Sequence, residues 1–276
     1  MLRTRSGPLA LDRVALVGVI NATPNSFSDG GRHLDPARAA EAAVAMVAEG
    51  AAMLDLGAES TRPGATPVPE DEELARLLPV LAAVRAAVRV PLSVDTTKAV
   101  VARRALDAGA DVVNDVSAGR LDPGMLPLCA AAGVPVVLMH MQGTPATMQE
   151  APQYTDVVAE VAAFLGARAR AAEAAGVAPD AILVDPGIGF GKTVAHNCAL
   201  VRRLDVLAAL GYPVLVGVSR KGFIGQLLGG RGTESRLFGT AAAVALAVAG
   251  GARLVRVHDV GPMRDVVRVA EGVAAG

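Results

Sequence analysis

The feature that most constrains this chain is a regular alternation. Eight short apolar runs are each followed by a longer stretch of helical period, with no break in composition between them. The runs are Val14–Ile20, Ala52–Gly57, Pro91–Val94, Asp111–Asn114, Pro135–Met139, Ala181–Val184, Val214–Val218 and Leu254–Val257. They are continuously apolar rather than alternating, the pattern of parallel strands covered on both faces. The stretches between and after them predict helices over Pro36–Glu49, Glu70–Val88, Lys98–Ala108, Pro123–Ala132, Tyr154–Ala175, Ala195–Leu210, Arg236–Gly250 and Met263–Val273. Six helices meet a glycine before the next strand, at Gly50, Gly109, Gly133, Gly176, Gly211 and Gly251, where a left-handed C-cap is expected. The same units also build doubly wound open sheets, but eight evenly repeated units favour closure. The expected fold is therefore α/β, a (β/α)8 TIM barrel. It forms a single domain over residues 1–276 with its core at about 14–274.

Composition sets the limits on partners and compartment. Hydrophobic residues make up 52% of the chain and aromatics 3%, so the core must be built from Ala, Val and Leu. A formal net charge of -1 gives no reason to expect nucleic acid or an anionic membrane as partner. The segment MLRTRSGPLALDR lacks the apolar run of a signal peptide, and no uninterrupted apolar stretch of about 18 residues reads as a membrane span. Cys129 and Cys198 form no CxxC and no metal-ligand cluster, as expected of thiols in a reducing compartment. A soluble cytoplasmic protein is the expectation. Only three lysines, Lys98, Lys192 and Lys221, stand among 26 basic residues, each beside a strand-end motif. With arginine so favoured, lysine is expected mainly where a compact point charge cannot be replaced by a planar fork.

In such barrels chemistry collects at the C-terminal ends of the strands. Here those ends carry Asn21, then Glu59-Ser60-Thr61-Arg62, Asp95, Asn114-Asp115, Met139-His140, Asp185, Ser219-Arg220-Lys221, and finally Arg256 and His258. A single Asp or Asn after a strand is commonly a helix N-cap, but a ring of them is expected to converge on one mouth. Asp95, Asn114 and Asp185 offer oxygens to the N–H edge of a flat heterocycle. Lys221, Arg256 and His258 make a basic corner suited to phosphates, and Asn21 is a neutral oxygen ligand suited to Mg2+ carried mainly by substrate phosphates. Two loops, 21–31 and 59–64, are long for βα connections and are expected to act as lids. The segment from Asp185 to Thr193 ends in GKT, like a P-loop. The glycine a P-loop needs five residues before its Gly-Lys pair is Pro186, so an ATPase is not expected. The glycines there are expected to let Asp185 and Phe190 approach a flat ligand.

The strings NATPNSFSDGG, ESTRPG, SVDTTKA, NDVS, DPGIGFGK, VGVSRKGFIG and RVHDV, spread in order from about residue 14 to 260, together resemble dihydropteroate synthase. The resemblance implies that Asp95, Asn114, Asp185 and Lys221 hold a pterin ring, with Met139 and Phe190 lining its pocket. Asn21, Arg256 and His258, with Thr61 and Arg62, would hold a diphosphate, and Asn21 would ligate Mg2+. Phe27, Ser28, Thr61, Arg62, Pro63, Phe190, Lys221 and Gly222 would form the para-aminobenzoate subsite, with Asp29 also in the closing loop. Asp185, Lys221, Asp95 and Asn21 would carry the catalysis. The implied reaction is loss of diphosphate from the pterin methylene and attack by the arylamine, a transferase step of folate biosynthesis that sulfonamides would block. The family also implies a homodimer. Asn25, Ala58 and Gly222 depart from the residues common at those positions. Two other readings share the slot. A pterin-dependent methyltransferase has no need of a diphosphate clamp, and a non-catalytic pterin-binding paralogue would bind without turnover.

Overall fold

The computed structural model describes residues 1–22, 35–62 and 64–275. A two-stranded antiparallel hairpin, β1 (Leu2–Thr4) and β2 (Gly7–Leu9), precedes eight parallel strands. These are β3 (Ala15–Asn21), β4 (Met53–Gly57), β5 (Leu92–Asp95), β6 (Val112–Asp115), β7 (Val136–Met139), β8 (Ile182–Asp185), β9 (Leu215–Val216) and β10 (Leu254–Val257). They pair in chain order from β3 to β8, with β10 between β3 and β9. The ring closes between β8 and the residue before β9, where Val184 bridges Val214 and Val184 N donates to Pro213 O at 3.1 Å. The expected (β/α)8 barrel is thus the observed fold, with strand ends moved by one or two residues.

Ten α-helices are described: α1 (Pro36–Glu49), α2 (Glu70–Ala87), α3 (Ala99–Asp107), α4 (Met125–Ala132), α5 (Val157–Ala174), α6 (Val194–Arg202), α7 (Leu204–Ala208), α8 (Gly222–Leu227), α9 (Leu237–Ala249) and α10 (Val260–Ala275). The sixth expected helix is broken at Arg203, whose backbone leaves the helical region at φ −116°, ψ 38°. The additional helix α8 starts within the Ser219–Gly225 motif. The six helix-ending glycines all take positive φ, and at Gly50 and Gly133 the cap N–H reaches back to helix carbonyls. Alanine-rich helix faces, such as Ala39 and Ala43 of α1 or Ala169 and Ala172 of α5, sit fully buried against the strands. Small side chains there let helices lie close to the sheet, which is how a core with so few aromatic rings packs densely.

The hairpin was not anticipated from sequence, and it has a clear place. Leu2, Leu9 and Leu11 pack with Ala15, Met53, Val112, Val137, Leu183, Leu215 and Leu254, which are the first or second residues of their strands. The hairpin therefore plugs the N-terminal end of the barrel. Ser6 fixes it there, its N–H and hydroxyl both donating to Asp111 at 2.6 and 2.9 Å. Among the described residues no helix is long and apolar enough to cross a membrane.

Candidate active site

At the opposite end, Thr61, Asp95, Asn114, Met139, Asp185, Phe190, Lys221 and Arg256 surround one cavity, together with Val116, Gly187, Ile188 and Gly217. Register explains how four of these side chains meet. Asp95 of β5 is the direct partner of Asn114 of β6, and Met139 of β7 of Asp185 of β8, so each pair leaves its strands at one level. Val116, Met139, Met141, Met148 and Phe190 form a separate apolar cluster that makes one wall of the slot.

The polar wall rests on an unforeseen residue. Asp55, in the middle of β4, is buried and accepts from Arg256 Nε at 2.6 Å and from Asn114 Nδ2 at 3.2 Å. Arg256 Nη2 also reaches Asp95 Oδ2 at 3.3 Å. Burial, and then the neighbouring Asp55, push the Asp95 carboxyl up to about 7, against the pull of Arg256. Burial also raises Asp185 to about 6, although Gly187 N donates to its Oδ1 at 2.7 Å and Lys221 lies close by. Burial, then Arg256, lowers Lys221 to about 8, and its ammonium stands 4.3 Å from the centre of the Phe190 ring. Asp55 was hidden in sequence because a lone acidic residue inside MLDLG lies before the strand end. Its position within an otherwise apolar run was the available signal.

The glycine-rich turn after β8 has a different reason from the one expected. Gly187 and Gly191 have φ of +65° and +64°. A Cβ on Gly187 would fall 2.0 Å from the carbonyl oxygen of His140, and one on Gly191 would fall 2.6 Å from that of Gln142. The close approach is to the backbone of the preceding βα loop, and it fixes where Asp185 and Phe190 stand. Lys192 closes the turn from below, its ammonium meeting His140 Nδ1 at 2.9 Å, Phe190 O at 2.9 Å and His140 O at 3.4 Å. Burial, with Lys192 adding to it, takes His140 down to about 3, so its ring is a neutral acceptor and not a group of the mouth.

Several strand-end residues expected at the mouth are instead structural. Asp115 accepts from the N–H groups of Ser117 and Gly119 at 2.7 and 2.6 Å, shaping the turn after β6. Glu59 accepts from Lys98 at 2.6 Å and from Val68 N at 2.8 Å, and Lys98 also reaches the buried Glu73 at 2.6 Å. That cluster anchors the loop bearing Thr61 and Arg62 to α2. Arg220 makes a two-pronged contact to Asp259, at 3.0 and 2.6 Å. The expected basic corner is correspondingly smaller. Arg256 is already paired with two carboxylates. Burial, then Arg256 and Arg220, lower His258 to about 4, so it offers a neutral imidazole with Nδ1 3.0 Å from Ser219 Oγ. Lys221 faces the cavity, and among the described residues no carboxylate pairs with it at contact distance.

Asn21 ends β3 and is half-buried, while Arg62 and Gly222 are exposed, and none of the three lines the cavity. Phe27, Ser28 and Asp29 of the first loop, the departure at Asn25, and Pro63 of the second loop lie outside the described residues. Among the described residues no three His, Cys, Asp or Glu side chains gather as a metal site.

Comparison with known proteins places this arrangement. Residues 17–258 match the family described as pterin binding enzyme. The dihydropteroate synthase of Mycobacterium leprae is 51% identical over 267 residues, covering 95% of this chain and 94% of that protein. Two solved structures are similar throughout. One is a Yersinia pestis dihydropteroate synthase in a sulfonamide drug complex, with TM-score 0.94, 41% identity, and 100% of this chain and 99% of that one covered. The other is a Xanthomonas albilineans dihydropteroate synthase with 4-aminobenzoic acid, with TM-score 0.90, 49% identity, and 96% and 95% covered.

Proposed function

The chain belongs to the dihydropteroate synthases, a family of pterin-binding enzymes, and from that premise we propose how its residues divide the work. The enzyme is a transferase of folate biosynthesis. It condenses 6-hydroxymethyl-7,8-dihydropterin diphosphate with para-aminobenzoate to give 7,8-dihydropteroate and diphosphate.

The bond from the pterin methylene to the diphosphate oxygen breaks with its electron pair leaving on diphosphate. The aniline nitrogen then bonds to the methylene carbon and releases a proton. Asp185 accepts from the N–H edge of the ring and stabilises the positive charge that the ring carries as diphosphate departs. Asp95 and Asn114 bind the same ring from the other strand pair, and Met139 and Phe190 enclose it. Lys221 lies between ring and leaving group. Arg256, His258, Thr61 and Arg62 attend the diphosphate, His258 through a neutral N–H donor. Phe27, Ser28, Pro63 and Gly222, with Thr61, Arg62, Phe190 and Lys221, border the aminobenzoate. This subsite is where a sulfonamide competes.

Mg2+ suits Asn21. The side chain offers a neutral oxygen at a strand end of the mouth, and a hard cation that keeps most of its ligands from substrate phosphates needs little more from the protein. When bound, it would neutralise charge on the departing diphosphate. The chain is further proposed to form homodimers, supported by the exposed apolar side chains Leu227 of α8 and Phe238 and Leu246 of α9. The free thiols Cys129 and Cys198 support a cytoplasmic setting.

The observation that carries the division of work is the convergence of Asp95, Asn114, Asp185, Lys221 and Arg256 on one cavity. Purified protein incubated with the pterin diphosphate, Mg2+ and para-aminobenzoate is expected to release diphosphate in step with dihydropteroate. Variants of these five residues should lose that turnover while remaining folded, and unaffected variants would overturn the assignment.

A further inference from the structure

Asp55 lies beneath the cavity and does not line it. It is 1% exposed, and two donors share its Oδ2: Arg256 Nε at 2.6 Å and Asn114 Nδ2 at 3.2 Å. A carboxylate can only accept. Asn114 must therefore turn its NH2 group toward Asp55, which leaves its amide oxygen for the cavity. Arg256 is likewise held by its Nε, and its Nη2 is brought to Asp95 at 3.3 Å. Asp55 Oδ1 and Asp95 Oδ1 have no hydrogen-bond partner among the described residues, so neither carboxylate has exhausted its acceptors. One side chain thus sets the orientation of one cavity residue and the position of another.

We propose that Asp55 is a positioning residue for the condensation: it aims the Asn114 amide oxygen at an N–H of the pterin and seats Arg256 against Asp95. The inference rests on the reading of Asn114 as a ring contact. An acceptor is required at this position because two donors converge on one oxygen. An asparagine could still present its single oxygen to both, so alanine, which offers no acceptor, is the discriminating change.

The test is a double-mutant cycle read by calorimetric binding of 6-hydroxymethylpterin, the ring without its diphosphate. N114A should weaken binding by about tenfold, the loss of one contact to a buried partner. D55A should weaken it by a similar factor, yet cost less than about twofold once Asn114 is already alanine, because the two changes remove one interaction. A D55A protein that binds the pterin normally, or a loss that persists undiminished in the N114A background, overturns the inference. An N114A protein that binds normally instead overturns the ring-contact reading and leaves the role of Asp55 without its premise. If D55A does not fold, D55L, which fills the space without supplying an acceptor, serves in its place. Adding N114A to that variant should cost less than about twofold if Asn114 is already misaimed, and a full tenfold cost there rejects the proposal.

Discussion

Asp185 and Asp95 show what a buried carboxyl at the end of a strand is suited to do. Burial disfavours their charge, so each gains most when a positive ring settles against it. D185N is expected to lower kcat/KM by at least about thirtyfold, or about 2 kcal/mol, the worth of one charge-assisted contact. Near-normal kinetics in the folded variant would contradict that role. The same groups set the pH dependence. A carboxylate must be ionised to accept from the ring and Lys221 must be protonated to oppose the leaving group. The kcat/KM profile of the free enzyme should therefore fall on the acid side between about 7 and 6, well above the ordinary carboxylate range. On the alkaline side it should fall near 8, as Lys221 deprotonates. An acid limb near 4 would show that neither buried carboxyl governs binding. Residue types at strand ends made Asp95, Asn114, Asp185 and Lys221 legible as one site before any fold was known. Asp55 was not legible, because its meaning lies in Arg256, 201 positions away, and sequence carries no distance between them. Gly222 has an ordinary φ, and a Cβ there would meet nothing within 4 Å, so its difference from the family's usual residue is tolerated without strain.

The elements give the site its frame, and here the sequence was a partial guide. Apolar period located every strand of the barrel. It could not show that β9 is only two residues long or that the helix after β8 breaks at Arg203, since both depend on packing around the closing seam. It also marked all three lysines as special without separating their roles. Lys221 faces the cavity, Lys192 is sunk among carbonyls beneath the glycine turn, and Lys98 ties Glu59 to Glu73. Glu73 is fully buried, and burial, outweighing Lys98, keeps its carboxyl above the usual range. K98M should therefore leave a buried acid without its partner and destabilise the fold by about 3 kcal/mol. Thermal denaturation measures that loss. Because Glu59 also accepts from Val68 N in the loop carrying Thr61, the same variant should raise the aminobenzoate KM more than the pterin KM. A stable K98M enzyme with both constants unchanged would remove the anchoring role.

For the whole molecule, two surfaces have consequences that no single element shows. Phe238 is 85% exposed and Leu246 61%, an unusual amount of apolar side chain for one face of a helix to leave in water. F238D is expected to shift sedimentation from dimer to monomer while the barrel keeps its melting temperature. A parent chain that sediments as a monomer would dismiss the dimer. The second surface is the plugged end. Leu2, Leu9 and Leu11 were unreadable as a seal because nothing in a short apolar segment says which opening it will cover. With that end stoppered, the barrel is a blind cup, and everything that reacts must come and go through one doorway. On the division of the site proposed above, the ring sits at the foot of the cup and the arylamine nearer the rim, and traffic is then single file. An arylamine that arrives first stands in the passage, and a finished dihydropteroate occupies the berth of the next pterin until it backs out. Initial-rate kinetics should then be ordered, with dihydropteroate competing directly against the pterin diphosphate. A random-order pattern would mean that the doorway is wide enough for two.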